Sequence, residues 1–499
     1  MPEHFISRAD AESDLLSCAA FLAERITSID GHAEAMMAVV PLYLRKENVD
    51  LAAELANTID DPYTRDRLLI LVAEKCAEMS DDDYALQLAD AVEDHGLRSQ
   101  ALELVALRQA ARGDFDAAHE ISEKMHHSDS VLVGIAANQA AKGLDTAANE
   151  TIGEIGFPGA AVTAFHEMAA DSLQQGQADK AVAYLEASLG KAQDIEQGEE
   201  KSRAFCDIGS VFIEAGRNDK AIEAFDKAKS TAESIDGMHR DAFLSLAAQG
   251  FMQAGSLELA DRTLDLVTDK TQLAAALLGY SREFWRKDER DEAIESLEEA
   301  LAILESQHER ETRDSKNRFR LFTQIAAQFA GFEKGERAIE IAETINDEGE
   351  RVAALSQIAA ILTIRKEDEQ ARHAFRAVTG DGDRVFALIG MSDAKVRNDE
   401  LDSAIDLLKE AAALTETVPQ LTFRASGYNE IGRRLLALGE GSQAKDNFRN
   451  SLDTITQIRD GSSQVISVAA LAQITAETEF SLDESYRPVM QTLAGRAGL

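Results

Sequence analysis

The sequence predicts an all-α protein made of repeated helix–turn–helix units, and three observations carry that expectation. Ala, Leu, Glu, Asp and Arg dominate the chain, and all of these but Asp are strong helix formers. Only six prolines occur in 499 residues, and the short β-branched runs between turn clusters that mark a β-sandwich are absent. Apolar residues recur at helical spacing, stop at a turn and start again. The stretch 205–228, FCDIGSVFIEAGRNDKAIEAFDKA, shows the unit best. Phe205, Ile208, Gly209 and Phe212 fall on one face of a helix. Gly216–Asp219 breaks it, and Ala221, Phe225 and Ala228 begin a second stripe.

The unit tiles the chain. Equivalents of Ala221 stand at Ala52, Ala85, Ala118, Ala148, Ala181, Ala260, Ala293, Ala338, Ala371, Ala404 and Ala444. With Ala221 in place, the successive intervals are 33, 33, 30, 33, 40, 39, 33, 45, 33, 33 and 40 residues. The extra length is expected in helix ends and in linkers such as 191–200 and 306–317. At several turns Asp288, Lys366 or Asp399 stands where glycine is expected.

The aromatic at the fourth position, the small residue at the eighth, the turn glycine and the later Ala, aromatic and Ala resemble the tetratricopeptide repeat (TPR) pattern. Phe205 stands where that family has Trp, and its closing Pro is missing after Ala228. The resemblance implies a right-handed α-solenoid of about twelve TPR-like repeats with terminal capping helices, because a helical pair cannot bury its apolar face alone. The expected organisation is an N-terminal cap over 1–32, repeats of about 33 residues over 33–155, repeats of 33–45 residues over 156–460, and C-terminal caps over 461–499. The Gly- and Pro-containing segment 151–163 reads as an inter-repeat loop or a hinge.

Charge narrows the function. The formal net charge is −39 and the isoelectric point about 4.6. An Asp-rich, Lys-poor surface resembles that of halophilic proteins, and it argues against non-specific nucleic-acid binding, which needs clustered Lys and Arg. Cys18, Cys76 and Cys206 are scattered and have no metal or redox spacing. The sequence begins without a signal-peptide pattern and holds no membrane-length apolar stretch, so a cytoplasmic location is expected.

A second periodicity runs through Arg65, Arg98, Arg240, Arg318, Arg351, Arg384 and Arg424, with Lys201 as a variant, each about four residues before the first-helix aromatic position. A cation at a helix start opposes the macrodipole. A recurrent one implies a partner, either a carboxylate or a C-terminal carbonyl of the preceding helix.

Catalytic and cofactor signatures fail. His119-Glu120 and His166-Glu167 lack the second His of a zinc-protease helix, and no phosphate loop, dinucleotide fingerprint or nucleophile elbow occurs. No metal, cofactor or enzymatic activity is expected. The resemblance instead directs attention to the groove lined by the first helices. There it suggests Gln249, Met252 and Gln253, then Arg282, Trp285 and Arg286, then Arg320 and Thr323 as partner-binding residues. Trp285 is the only Trp of the chain. Trp flanked by Arg is the composition of interface hot spots and suits an acidic or C-terminal carboxylate ligand. The competing reading packs Trp285 into the inter-repeat core and pairs the arginines with Glu283, Asp288 or Glu289. The expected function is a non-enzymatic scaffold binding a peptide or folded partner. The alternative is a regulatory or sensory solenoid binding a small ligand or RNA. Self-association is left open.

Overall fold

The computed structural model describes residues 4–237, 239–306, 315–480 and 484–496, so most of the linker 306–317 lies outside the described residues. Two short helices, α1 (Arg8–Ala11) and α2 (Leu15–Ala23), precede twelve helical pairs. The first four are α3 (Ile29–Arg45) with α4 (Val49–Asn57), α5 (Pro62–Glu78) with α6 (Asp82–Ala91), α7 (His95–Arg112) with α8 (Phe115–Ser122), and α9 (Asp129–Ala141) with α10 (Asp145–Glu154). The next four are α11 (Pro158–Gln174) with α12 (Ala178–Ala192), α13 (Gly198–Glu214) with α14 (Asn218–Glu233), α15 (His239–Gln253) with α16 (Leu257–Leu264), and α17 (Lys270–Arg286) with α18 (Arg290–Glu305). The last four are α19 (Ser315–Gly331) with α20 (Gly335–Glu343), α21 (Glu348–Ile364) with α22 (Asp368–Ala377), α23 (Asp381–Arg397) with α24 (Leu401–Thr415), and α25 (Leu421–Ala437) with α26 (Gly441–Ile455). Then come α27 (Gly461–Glu477), a single 3-10 turn (Glu484–Tyr486) and α28 (Arg487–Arg496). No strand occurs among the described residues. The fold is an all-α solenoid.

The turn inside each pair has one construction. A single residue with positive φ ends the first helix: Glu47, Ser80, Gly113, Gly143, Gly176, Gly216, Gly255, Asp288, Glu333, Lys366, Asp399 and Gly439. The next N–H then donates to the carbonyl five residues back, as Asp81 does to Cys76 (2.9 Å) and Arg217 to Phe212 (2.8 Å). This is the Schellman closure of a helix end. Asp288, Lys366 and Asp399, which replace glycine, adopt the same conformation, with φ of 67°, 63° and 62°. Each of the twelve marker alanines follows its turn residue by five positions, sits in the second helix and is wholly inaccessible to solvent. A side chain any larger there would push the two helices apart.

Repeat length follows chiefly the second helix. It has 8–10 residues in most pairs. In α12, α14, α18, α24 and α26 it has 15 or 16, and the repeats from those helices are the long ones. The added helix is roughly two turns, about 9 Å at 1.5 Å per residue.

The chain divides into two compact units, one of residues 1–105 with 352–499 and one of 106–351. The second unit contains a core running from Val133 to Tyr280. Its centre is the Phe225 ring, which lies against the backbone of α13 at Gly209 and of α15 at Gly250. A Cβ at Gly209 would meet the ring at 2.7 Å, and one at Gly250 would meet it closer still. Segment 151–163 falls inside this unit: Gly153 is helical, and Pro158 occupies the first turn of α11, where its missing N–H costs nothing.

In the first unit N-terminal and C-terminal helices pack together. α27 ends in the same positive-φ turn, at Glu479, but α28 does not fold back on it as a second helix. α27 packs instead against α2 and α3. One helical pair is thus composite, its first helix C-terminal and its partner N-terminal. Arg45 bonds Glu477 (2.9 Å), Ser462 donates to Glu34 (2.9 Å) and Gln491 to Glu12 (3.2 Å) across this seam.

Two outcomes test this packing. Gly250→Ala should lower unfolding free energy by roughly 1–3 kcal/mol through overpacking, and adding Phe225→Leu should recover part of the loss in a double-mutant cycle. Ser80→Gly, which relieves a φ of 68°, should stabilise by about 0.5–1 kcal/mol in urea titration.

Candidate interaction surface

The first helix of each pair presents two kinds of position. Those that face the second helix, such as Phe205 and Ile208, are buried; those on the other side, such as Arg203, Asp207 and Ser210, are exposed. The suggested partner-binding residues divide along this line. Gln253, Arg282, Arg286 and Arg320 are exposed, and Gln249 and Trp285 are half-buried. Met252 is 1% exposed and belongs to the core, while Thr323 is buried and its hydroxyl donates to Glu350 Oε2 (3.2 Å).

Trp285 is held in a sandwich. Its ring stacks on Phe332 at 4.0 Å between centroids and 8° between planes, and the Arg290 guanidinium lies 3.8 Å from its centroid on α18. Arg286 pairs with Glu283 (2.8 Å), Arg290 with Asp288 (2.7 Å), and Arg282 donates to Gln328 (3.1 Å). Pairing with Glu283 through hydrogen bonding holds the Arg286 guanidinium above its ordinary value. Asp207 and Glu167 share the exposed side of α13 and α11, and desolvation pushes both carboxyls up against the opposing pull of His166.

Five cations of the arginine ladder are braces, whereas the buried Nε of Arg384 has no hydrogen-bond partner among the described residues. Arg98 donates to Val92 O (2.8 Å), Arg318 to Leu304 O (3.1 Å), Arg351 to Ile345 O (2.9 Å) and Arg424 to Val418 O (2.8 Å). Lys201 does the same to Gln193 O (2.6 Å). Each cation satisfies a carbonyl left unpaired where the preceding helix ends, and there the macrodipole favours it. Arg65 instead pairs with Asp66 and Glu93, and Arg240 with Asp241 (2.8 Å) and Leu266 O (3.2 Å). Arg384 lies 5.0 Å from the Phe375 ring centroid.

Sequence reasoning missed the carboxylates that complete these junctions. Asp66 Oδ2 accepts from the N–H groups of Glu93 (2.9 Å) and Asp94 (3.0 Å), Asp129 from Gly156 (3.0 Å) and Phe157 (2.8 Å), and Asp241 Oδ2 from Thr268 (2.7 Å) and Asp269 (2.6 Å). In each case a first-helix Asp reaches 27 and 28 residues ahead to the start of the next first helix. That constant separation was the available signal, hidden among 90 acidic residues. At Asp241 burial pushes the carboxyl up, but the Thr268 hydroxyl, the two N–H groups and Arg240 outweigh it and hold the carboxyl below its ordinary value.

The thiols offer no nucleophile, since burial pushes Cys18 and Cys206 to about 12 and Cys76 to about 11. Among the described residues no three His, Cys, Asp or Glu side chains gather as a metal site, and no helix is long and apolar enough to cross a membrane.

Residues 161–234, holding most of α11 and all of α12 to α14, match the tetratricopeptide repeat family. This TPR match covers two of the twelve pairs. No curated protein matches the chain. Among solved structures, Ton1535 from Thermococcus onnurineus NA1 is similar at 15% identity over 71% of this chain and 98% of its own, with a TM-score of 0.25. The apo quorum sensor NprR from B. thuringiensis is similar at 13% identity over 72% of this chain and 100% of its own, with a TM-score of 0.27. BtubC from P. vanneervenii is similar at 13% identity over 57% of this chain and 91% of its own, also at 0.27. Likenesses this low carry no argument about this chain.

The Asp241 junction makes a pH prediction. A carboxyl lowered in the folded state contributes stability that is complete above its unfolded pKa, about 3.9, and is lost as pH falls through the folded value. Asp241→Asn should therefore cost roughly 1–3 kcal/mol at pH 7. Urea titrations should show the gap from wild type closing below about pH 4.

Proposed function

We propose that the chain is a non-enzymatic interaction scaffold whose first-helix face in the unit 106–351 docks a peptide or protein segment bearing acidic side chains or a free C-terminal carboxylate. One observation carries this reading. Arg203, Arg282, Arg286 and Arg320 stand exposed on α13, α17 and α19 of a chain with a net charge of −39. Arginine matches carboxylates bidentately, and an aromatic platform beside it, here Trp285 on Phe332, is what interface anchors are made of. Glu283 already holds Arg286, so a partner must exchange one carboxylate for another. Such an exchange favours a modest, salt-sensitive affinity over a tight one. Buried Met252 and Thr323 support this face from behind, while Gln249 and Gln253 extend it.

The test uses the chain's single Trp as its own reporter. Titrating an Asp/Glu-rich peptide with a free C-terminus should change Trp285 emission, and the amidated peptide should bind more weakly. Native co-purification under matched salt should lose the partner in Arg282→Ala/Trp285→Ala. Unchanged partner recovery in that variant, or an emission indifferent to peptide, removes this surface from consideration.

A further inference from the structure

The composite seam of the first unit forms a cavity, open to solvent on one side, that the scaffold reading does not use. About 540 Å³ in volume, it lies between the segment joining α2 to α3 and the segment joining α26 to α27. That size suits a small-molecule ligand. Its lining is unusual for this protein. Nearly one residue in five of the chain is acidic, yet none of the eleven residues around the cavity is Asp or Glu, and two are arginines, Arg25 and Arg459. Leu22, Ile26 and Ile458 supply an apolar wall.

The two guanidiniums differ in how they are held. Arg25 is fixed: it lies 3.3 Å from the Phe21 ring centroid, donates to Phe21 O (2.6 Å) and stands 3.6 Å from Glu24. Glu24 is itself engaged, accepting from the N–H groups of Phe5 (2.6 Å) and Ile6 (3.3 Å). Arg459 is exposed and no carboxylate of the described residues pairs with it. Its neighbour Asp460 is turned to cap α27, accepting from Ser463 N (2.8 Å) and Ser462 Oγ (3.0 Å). Arg459 is left beside a cavity whose lining holds no acid.

We propose that the seam cavity binds a small organic anion, its phosphate or carboxylate oxygens held by Arg25 and Arg459 and its apolar part lying on Leu22, Ile26 and Ile458. Arg25 belongs to the N-terminal end of the chain and Arg459 to the C-terminal end, so the ligand bridges the composite pair and stabilises it by binding the joined form alone.

The experiment is calorimetric titration and thermal unfolding of the full chain with pyrophosphate for the phosphate arm and citrate for the carboxylate arm, at constant ionic strength. At least one probe should bind and raise the unfolding midpoint, and the stronger arm identifies the anion class. Arg459→Ala should keep the unliganded midpoint, because that side chain makes no pairing to lose. It should weaken binding at least about tenfold, as loss of a charge-assisted bond does. Arg262→Ala, at an exposed pair with Glu258 on α16, should bind as wild type. The proposal is overturned if neither probe binds, or if Arg459→Ala binds as tightly as wild type. Neither result bears on docking at Trp285.

Discussion

Everything in this structure depends on how closely two helices approach within a pair. A fully buried alanine five residues after the left-handed turn inside each pair sets that distance, and it is set twelve times. The stacking of one pair on the next then uses large side chains against small ones. Phe225 fills the space left by Gly209 in its own pair and Gly250 in the next, and Phe448 packs within its pair against Gly432 on α25. Dense packing of this kind tolerates little change in volume, so residues of very different size hold complementary places along the whole chain. What varies between repeats is the length of the second helix, which can grow by about two turns without disturbing the contact at its start.

Charge is used economically. With 90 acidic and 51 basic side chains, cations are the scarce resource, and many of them serve as braces. Arg98, Arg318, Arg351 and Arg424 close the carbonyl ends of second helices, and Asp66, Asp129 and Asp241 close the amide ends of the first helices that follow. Lys395 on α23 shows the same principle between repeats, buried between Asp368 of the preceding pair (2.8 Å) and Glu400 of its own (2.7 Å). Burial draws its pKa down, and its hydrogen bonds to the two carboxylates more than offset this. Against such a background, arginines left on an exposed face or at an acid-free cavity stand out as places where the chain has cations to spare.

The composite pair gives the first unit its particular character. Repeat arrays ordinarily need dedicated polar caps because terminal repeats have an uncovered face. Here the first helix of the last pair, α27, is covered by α2 and α3, so the expected caps cover each other. The arrangement joins residues more than 400 apart in sequence, such as Arg45 with Glu477. Long-range closure of this sort carries a loop entropy that local pairing does not, and the seam contacts with α2 and α3 offset it.

The sequence by itself determined the helical pairs, their turns and their spacing, because these rest on local rules: 3.6-residue periodicity, a left-handed closing residue and a small side chain at the crossing. The interval series read from twelve alanines reappears unchanged in the turn geometry, even where Asp288, Lys366 and Asp399 replace glycine. It also foresaw that the ladder cations needed partners, since a helix start repels them. Only the tertiary structure decided who those partners are, which of the groove residues face solvent, and that Trp285 lies between Phe332 and Arg290. It alone joined α27 to α2. A repeat period describes each pair and its nearest neighbours; it holds no information about which distant element will cover the last exposed face, because any amphipathic helix with the right stripe satisfies the same local pattern.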